Sequence, residues 1–321
     1  MTTRIAYEAD LVPILGSTFQ PTGFPDLGAA TFTRFEDGQD VPALLVESVQ
    51  SMANRLEATA WDEPGNQPVP AMNGLPWIRV VRNGTDEFLT SSRLEAHRLA
   101  SPFVHASTVD GKPVFDLIRD RLGLAKDTPL NRSAMAAAIA GLDPFCLIHG
   151  VFFAQKEWWG QPRFPRALSG VIEAHHVERA DSGGRKSDRV RHQISEDAGG
   201  TAEGYGSVPF ARTEWTAKRI RASFVLDTEL LRSYGLPAPA TDLLETVALW
   251  EIRSLLSGGL RLRTACDLDL DGDVRARRNS PPLPALDELT AKITELVPRC
   301  ADVLGTGEPL TVHWADKGKK K

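Results

Sequence analysis

GSTFQPTGFPDLGAA (residues 16–30), followed by VPALLVESVQSMANRLE (residues 41–57), decides how we interpret the fold. Gly and Pro punctuate the first run, and at this density they prescribe a defined, irregular backbone. Apolar residues of the second run recur at helical spacing, namely Leu45, Val49, Met52 and Leu56. We therefore predict an ordered loop followed by a helix over residues 42–58, with Pro42 in its first turn.

The other side of this predicted helix is polar but carries few charges. Its residues are Glu47, Ser48, Gln50, Ser51, Asn54 and Arg55. Hydroxyl, amide and guanidinium groups of this kind suit hydrogen bonds to phosphate and ribose oxygens. On these residues alone a solvated helix face behind a structural loop is the commoner arrangement.

Composition indicates a globular protein. Hydrophobic residues make up 42% of the 321 residues and charged residues 25%, and the net charge is −5. No apolar run is long enough to span a bilayer, and the N-terminus lacks the order of a signal peptide. Three widely spaced cysteines, Cys146, Cys266 and Cys300, argue against a disulfide framework or a structural zinc site. We therefore expect a cytoplasmic protein without a membrane partner.

Along the chain, strands and helices intermix without the regular alternation of a doubly wound fold, which predicts an α+β protein. Strands are predicted within residues 1–15, 30–35, 77–82, 220–226 and 260–267. Helices are predicted as a pair within 113–141 with Asn131 as a cap, and at 242–256 and 286–304, where Pro298 should kink or end the helix. Residues 90–99 suit a short helix or an ordered loop, and residues 145–154 a buried strand or helix.

A basic segment stands out in this acidic chain. Its cations are Arg163, Arg166, Arg179, Arg185, Lys186, Arg189 and Arg191, and the aromatic residues Trp158, Trp159 and Phe164 lie at its start. Cations together with flat rings are what single-stranded nucleic acid requires, although a solvated loop explains the composition equally well. Residues 181–206 are too polar to fold around a core of their own, so we predict a projecting hairpin or a mobile loop there.

Other motifs carry little chemistry. The run DLDLDGD (267–273) imitates the start of a calcium loop, but the twelfth position, which needs a bidentate Glu, is Arg278. His149 lies inside an apolar run, where a satisfied core histidine is commoner than a catalytic base. We therefore expect no metal, no cofactor and no catalytic residue.

The loop and helix runs resemble the CRISPR-associated RAMP superfamily, specifically the backbone (Cas-seven-type) subunit of the type I-G Cascade complex. The resemblance continues through TSSRLEAHRLASPF, DPFCLIHGVFFA, RALSGVIEA, GYGSVPFARTEWTA and GLRLRTACDL, and so covers residues 16 to about 270. It implies one elaborated RRM-like (ferredoxin-like) domain over residues 1–321 with an antiparallel sheet core. It also implies a helical insertion within 100–160 and a thumb-like hairpin within 181–206.

The resemblance further implies a non-catalytic subunit that binds the CRISPR guide RNA. Copies would polymerise along the guide, contact other Cascade subunits and leave the bases free to pair with target DNA. The RNA-binding residues that we predict are Ser17, Gln20, Thr22, Gly23, Gln50, Ser51, Asn54, Arg55, Arg93, His97, Arg98, Arg163, Arg166, Arg185, Lys186, Arg212 and Arg263. The alternative is a RAMP-type endoribonuclease that processes the guide precursor or cuts RNA, with His97, His149 and Asp26 as candidates.

Overall fold

Mixed α and β structure fills the computed structural model, which describes residues 3–24, 27–187 and 207–315. The strands, numbered in chain order, are β1 (Ile5–Pro13), β2 (Gly23–Phe24), β3 (Gly28–Ala29), β4 (Thr31–Glu36), β5 (Gln39–Glu47), β6 (Trp61–Asp62), β7 (Gln67–Pro68), β8 (Ile78–Arg82), β9 (Phe88–Ser91), β10 (Thr108–Val109), β11 (Lys112–Pro113), β12 (Val151–Phe152), β13 (Arg163–Phe164), β14 (Leu168–Ser187), β15 (Ser207–Leu226), β16 (Leu260–Arg263), β17 (Cys266–Leu270), β18 (Arg275–Arg277) and β19 (Leu310–Trp314).

The helices are α1 (Val49–Ala58), α2 (Pro102–His105), α3 (Val114–Arg121), α4 (Arg132–Ala140), α5 (Phe145–Ile148), α6 (Thr228–Ser233), α7 (Ala238–Ser257), α8 (Leu286–Arg299) and α9 (Ala301–Leu304). Short 3₁₀ turns lie at Pro70–Met72 and Arg98–Ala100. This mixture, built around an antiparallel sheet, confirms the predicted α+β class. Within the described ranges, no helix is both long and apolar enough to cross a membrane.

The main sheet is antiparallel and runs in the order β16-β17-β1-β15-β14-β5-β4, with β18 also paired to β1. Alternate residues of β1 are buried, as the two-residue period of a strand requires. Helix α1 contacts β14 and α7, and α7 contacts β15 and β17. A Cβ at Gly170 of β14 would lie 2.7 Å from the Cγ of Met52 and 2.8 Å from the Cδ1 of Phe224. The absence of a side chain at Gly170 therefore lets α1 pack closely on the sheet.

The longest elements of the sheet are β14 and β15, which pair from Leu168↔Leu226 to Ser187↔Ser207. Strand β1 accompanies β15 as far as Ile220, and β5 accompanies β14 as far as His175. Beyond those positions the two strands continue as a two-stranded hairpin, which Phe19 joins through an isolated bridge to Trp215. The predicted tract 181–206 begins within this hairpin, and its part from 188 to 206, with Arg189 and Arg191, lies outside the described residues.

A second, five-stranded sheet has the order β11-β10-β19-β8-β9, and its β19–β8 pair is parallel. Helices α2 to α5 lie in the segment predicted as a helical insertion. Helix α4 begins as predicted, because the Asn131 side chain accepts a hydrogen bond from the Ala134 N–H at 3.1 Å. Helix α8 includes Pro298, and a separate short helix, α9, follows it.

The helix predicted over residues 42–58 is wrong in its first half. Residues 39–47 form β5, with Pro42 inside it, and the helix begins at Val49 after an N-cap at Ser48. Pairing with β14 and β4 on both sides overrides the local helical spacing, because Leu44 and Val46 are fully buried in the sheet. Residues 260–267, predicted as one strand, form the β16–β17 hairpin instead.

Candidate nucleic-acid interface

The loop from Ile14 to Thr22 leaves the end of β1 and runs beside the hairpin. Phe19 is 1% exposed, and its backbone exchanges two hydrogen bonds of 2.9 Å with Trp215 of β15. The Gln20 N–H donates to the carbonyl of Ala265, and the Thr22 N–H donates to the carbonyl of Val46. Anchored in this way, the loop leaves the side chains of Ser17 and Gln20 exposed.

Gly23 occupies a position that needs glycine. It lies in the small β2–β3 pair, opposite Ala29, where a Cβ would approach the carbonyl oxygen of Gly28 to 2.5 Å. Another residue type would force the two strands apart. The predicted site residue Gly23 therefore shapes the backbone at the end of the loop.

Helix α1 presents its first turns beside this loop. Ser48 caps the helix by accepting a hydrogen bond from the Ser51 N–H at 3.2 Å. Gln50 and Asn54 are exposed, and Ser51 is half-buried. These side chains and the loop hydroxyls can donate to phosphate and ribose oxygens without reading sequence.

Two predicted RNA-binding arginines meet at one buried carboxylate, and we call Glu47, Arg55 and Arg263 the Glu47 clamp. Glu47 is 1% exposed; its carboxylate lies 3.3 Å from the Arg55 Nε and accepts a hydrogen bond from the Arg263 Nη2. Arg55 also donates to the carbonyl of Leu262 at 2.6 Å, and Arg263 donates to the carbonyl of Gln20 at 2.9 Å. The clamp thus fastens the loop, helix α1 and β16 to one another.

Five other predicted residues line one cleft of about 460 Å³, which we call the Arg166 cleft. Its lining consists of Gln50, Ala96, His97, Arg98, His149, Gly150, Val151, Phe152, Ala154, Arg163, Phe164, Pro165 and Arg166. Gly150 adopts φ +84°, and a Cβ there would lie 2.9 Å from the carbonyl oxygen of Phe164. A glycine is therefore needed where the two walls of the cleft approach each other.

Arg166 joins the cleft to helix α1. It donates to the Gln50 Oε1 at 3.0 Å and to the carbonyl of Val49 at 3.3 Å, while its Nε has no hydrogen-bond partner within the described ranges. Burial and the nearby positive charge of Arg98 lower the pKa of Arg166. The guanidinium is thus a cation in an environment that does not fully compensate its charge.

Arg98 differs from Arg166 although it lines the same cleft. Its Nε donates to the Glu57 Oε1 at 2.7 Å, its Nη2 to the other carboxylate oxygen, and its Nη1 to the carbonyl of Gly150 at 3.0 Å. Both side chains of the ion pair are 9% exposed. The charge of Arg98 is therefore matched inside the protein.

His149, one of the candidates for an endoribonuclease, is a buried residue. Its Nε2 lies 2.9 Å from both oxygens of Glu251, and both side chains are fully buried. Burial lowers the pKa of His149 to about 4 and raises the pKa of Glu251 well above its usual range. His97 is exposed at the cleft, and the third candidate, Asp26, lies outside the described residues.

The remaining predicted residues lie elsewhere. Arg93 is 8% exposed; its Nε lies 2.8 Å from the Asp143 Oδ1, and its guanidinium stacks 3.4 Å from the centroid of the Phe145 ring. Arg185 and Arg212 are exposed on the hairpin, where Arg212 pairs with Glu214 at 3.6 Å. Lys186 belongs to β14, and its side chain lies outside the described residues.

The aromatic residues of the basic segment are divided between core and surface. Trp158 and Phe164 are 0% and 2% exposed and belong to the core, so they cannot serve as a surface platform for bases. Phe152, which the sequence did not single out, is 47% exposed at the cleft, and Trp159 is 38% exposed.

Sequence reasoning also missed Glu47 and Glu57 as partners of the arginines, although Glu47 precedes the polar helix and Glu57 belongs to it. In the described part of the chain, no three His, Cys, Asp or Glu side chains are grouped to hold a metal ion.

Comparison with solved structures gives many matches, of which two are described here. One is to a chain described as "CRISPR RNA-guided surveillance complex, pre-nicking", with a TM-score of 0.40, 11% identity, and 95% of this chain and 90% of that chain covered. Another is to Csc2 of Thermofilum pendens, with a TM-score of 0.35, 10% identity, and 94% and 76% covered. No curated protein matches the sequence.

The family comparison is more extensive. The model of the family described as CRISPR-associated protein GSU0053 matches residues 5–179, more than half of the 321 residues. The match includes the loop, helix α1, Glu47 and the whole lining of the Arg166 cleft. The chain therefore belongs to the family of CRISPR-associated protein GSU0053.

Proposed function

We propose that this protein is a guide-RNA-binding backbone subunit of a type I CRISPR Cascade complex of the I-G subtype. Several copies bind side by side along one guide RNA, contact other Cascade subunits and leave the bases free to pair with target DNA. Membership of a CRISPR-associated family supports a role of the protein in a CRISPR system. The role needs contacts to sugar and phosphate that do not depend on sequence.

One observation carries the proposal: exposed polar groups from the loop, helix α1 and the Arg166 cleft adjoin one another. Arg166 of the cleft donates to Gln50 of α1. The same helix is fastened to the loop through Arg55, Glu47 and Arg263. A chain of phosphates laid along this surface would pass amide, hydroxyl and guanidinium donors in turn. Ser17, Gln20, Gln50, Asn54, Arg163 and Arg166 are its exposed or half-exposed side chains.

In this proposal Arg55, Arg98 and Arg263 orient the surface more than they neutralise phosphate. Each already has a carboxylate partner, Glu47 for Arg55 and Arg263 and Glu57 for Arg98. The Glu47 clamp holds two arginines against one carboxylate, so much of their positive charge is compensated inside the protein. Its main contribution is to hold the loop and α1 in fixed positions relative to each other.

The proposal extends to the fold. In it the main antiparallel sheet is an RRM-like core, and the hairpin of β14 and β15 is the thumb. The hairpin of β14 and β15 continues from His175 to Ser187, which at about 3.3 Å per residue is roughly 40 Å of strand. Arg179, Arg185 and Arg212 are exposed along it. A projection of this length can reach across the guide RNA to the next copy.

A non-catalytic role is likewise part of the proposal. The imidazole of His149 is fully buried against Glu251 and burial lowers its pKa to about 4, so it is a weak base without access to a ribose hydroxyl. His97 is then the remaining described candidate for an endoribonuclease. Incubation with labelled repeat RNA, with and without magnesium, distinguishes the two functions. Specific cleavage that disappears in His97→Ala would favour the nuclease.

Binding of a labelled single-stranded RNA to the purified protein tests the proposal. We expect the Gln50→Ala, Asn54→Ala variant to bind at least about 10-fold more weakly, because each lost hydrogen bond to a charged phosphate contributes about 1.5–3 kcal/mol. Gln39→Ala, Asn83→Ala is the matched control, since both side chains are exposed and neither belongs to α1 or lines the Arg166 cleft. Equal affinities of the two double variants would remove α1 from the RNA-binding surface.

The mass of the complex tests polymerisation separately. Sedimentation of the protein with RNAs of increasing length should give particles whose mass rises in steps of one subunit. Addition of a complementary DNA strand should then leave the protein bound. One subunit per RNA at every length would contradict the backbone role while leaving RNA binding intact.

A further inference from the structure

We propose that the Arg166 cleft binds one nucleotide of the RNA strand, with its phosphate on Arg163 and Arg166 and its base against Phe152. This inference rests on the proposed function and gives the cleft a defined occupant within it. A volume of about 460 Å³ is within the range of small-molecule sites, so a single nucleotide is an occupant of suitable size.

Charge favours a phosphate in this cleft. Its lining, taken from the described residues, contains Arg98, Arg163 and Arg166 and no Asp or Glu. Glu57 compensates Arg98 through a bidentate ion pair, which leaves Arg163 and Arg166 as the charges that an anion can meet. The lowered pKa of Arg166 has burial as its main cause, with Arg98 adding repulsion, and the negative charge of a phosphate would offset both by stabilising the charged form.

Hydrogen-bonding groups are also available for the phosphate. The Nε of Arg166 has no hydrogen-bond partner within the described ranges, although its two terminal nitrogens hold Gln50 and Val49. This nitrogen is buried, so the guanidinium is held in place by two bonds while one of its donors stays unsatisfied. Exposed Gln50 and His97 also line the cleft, so their side chains are available for hydrogen bonds to ribose oxygens.

An exposed ring lies beside these cations. Phe152 of β12 pairs with Arg163 of β13, and the guanidinium of Arg163 lies 5.8 Å from the centroid of the Phe152 ring. The neighbouring Val151 is buried, so the backbone of β12 is fixed while the Phe152 ring is 47% exposed. Aromatic rings and arginines together form the platforms on which bases of single-stranded nucleic acid stack. The cleft therefore offers contacts to phosphate and base at once.

The salt dependence of RNA binding measures the phosphate contact. Each phosphate neutralised on a single strand contributes about 0.7 to the slope of log affinity against log salt concentration. We expect Arg163→Ala, Arg166→Ala to reduce this slope by about 0.7. Arg121→Ala, an exposed arginine of α3 outside the cleft, is the matched control and should leave the slope unchanged. Arg163→Ala alone, at an exposed side chain, guards against a folding defect in the double variant.

The base contact has its own readout. Stacking on an aromatic residue is worth about 1–3 kcal/mol per base, so Phe152→Ala should weaken RNA binding about 5-fold or more, and equally at high salt. Phe152→Trp should restore the affinity, because it returns a flat ring. A Phe152→Ala variant with unchanged affinity would overturn the stacking contact.

Competition distinguishes a nucleotide of the strand from a free nucleotide. Inorganic phosphate and uridine monophosphate are added to the protein with and without RNA. We expect weak competition by the mononucleotide and weaker competition by phosphate. Tight binding of the mononucleotide that leaves RNA affinity unaffected would overturn the assignment to the strand. If the wild-type protein binds no RNA, the proposed function fails as well; if it binds RNA and the cleft variants match their control, the cleft inference alone fails.

Discussion

The Glu47 clamp and the Arg166 cleft place arginines beside the same helix with opposite consequences. In the clamp, Arg55 and Arg263 share one carboxylate that is 1% exposed. In the cleft, Arg163 and Arg166 face a lining that, over the described ranges, includes no carboxylate. The comparison teaches that a buried acid, and not the presence of arginine, decides whether a positive charge is available to a ligand.

The ion pair of Arg98 and Glu57 should give the largest effect. Glu57→Ala leaves a buried guanidinium without its carboxylate, so we expect the free energy of unfolding to fall by about 3–5 kcal/mol in urea titrations. The exposed Glu63→Ala is the control and should change stability little. A milder variant, Glu57→Gln, frees the charge of Arg98 toward the cleft and should make the salt dependence of RNA binding steeper. A loss below about 1 kcal/mol in Glu57→Ala would mean that the pair does not stabilise the fold.

Breaking the Glu47 clamp should have a smaller effect. The side chains of Arg55 and Arg263 are 28% and 24% exposed, so water partly solvates them when the carboxylate is removed. We expect Glu47→Gln to lower the free energy of unfolding by about 2 kcal/mol, less than for a fully buried pair. RNA affinity should fall as well, because the loop loses its link to α1.

Arg55→Met sharpens the same comparison. If the clamp positions the loop and the cleft supplies the charge, this variant should change the salt slope less than Arg163→Ala does. A larger change in slope for Arg55→Met would reverse the roles assigned to the two regions.

The N-cap of α1 should give the smallest effect. Ser48→Ala removes the acceptor of the Ser51 N–H, which costs about 1 kcal/mol of stability in urea titrations. Ser48→Asp keeps the cap but adds a negative charge near the proposed RNA path, so stability should be retained while RNA affinity falls. Equal RNA affinities of the Asp variant and the wild type would place the phosphates away from the helix N-terminus.

Local signals in the sequence were sufficient to predict those helices and strands whose formation depends on their own residues. Asn131 caps α4 as predicted, and the alternation in residues 220–226 gives a half-buried strand. The helical spacing in residues 42–58 misled, because residues 39–47 join the sheet between the adjacent strand β4 and β14, which is remote in sequence. A run whose apolar residues fit both the helical and the strand period can form either a helix or a strand.

Prediction of the candidate site was limited for the same reason. Arginine, amide and hydroxyl residues are visible in the sequence, and Gln50, His97, Arg98, Arg163 and Arg166 do line one cleft. Their pairing is not visible, because Glu57 meets Arg98 only after the chain folds. Phe152 escaped notice since its exposure depends on β12 lying at the surface beside β13.

The central position of β1 has a consequence for synthesis on the ribosome. Leu11 pairs with Ile220 and with Leu270, so the first strand made must wait for partners that emerge much later. At roughly 5–20 residues per second this delay is on the order of ten seconds or more. During that time the apolar face of β1, with Tyr7 and Leu11, has no sheet to join. The apolar face of β1 therefore stays without its strand partners for longer than in a protein built from local pairs.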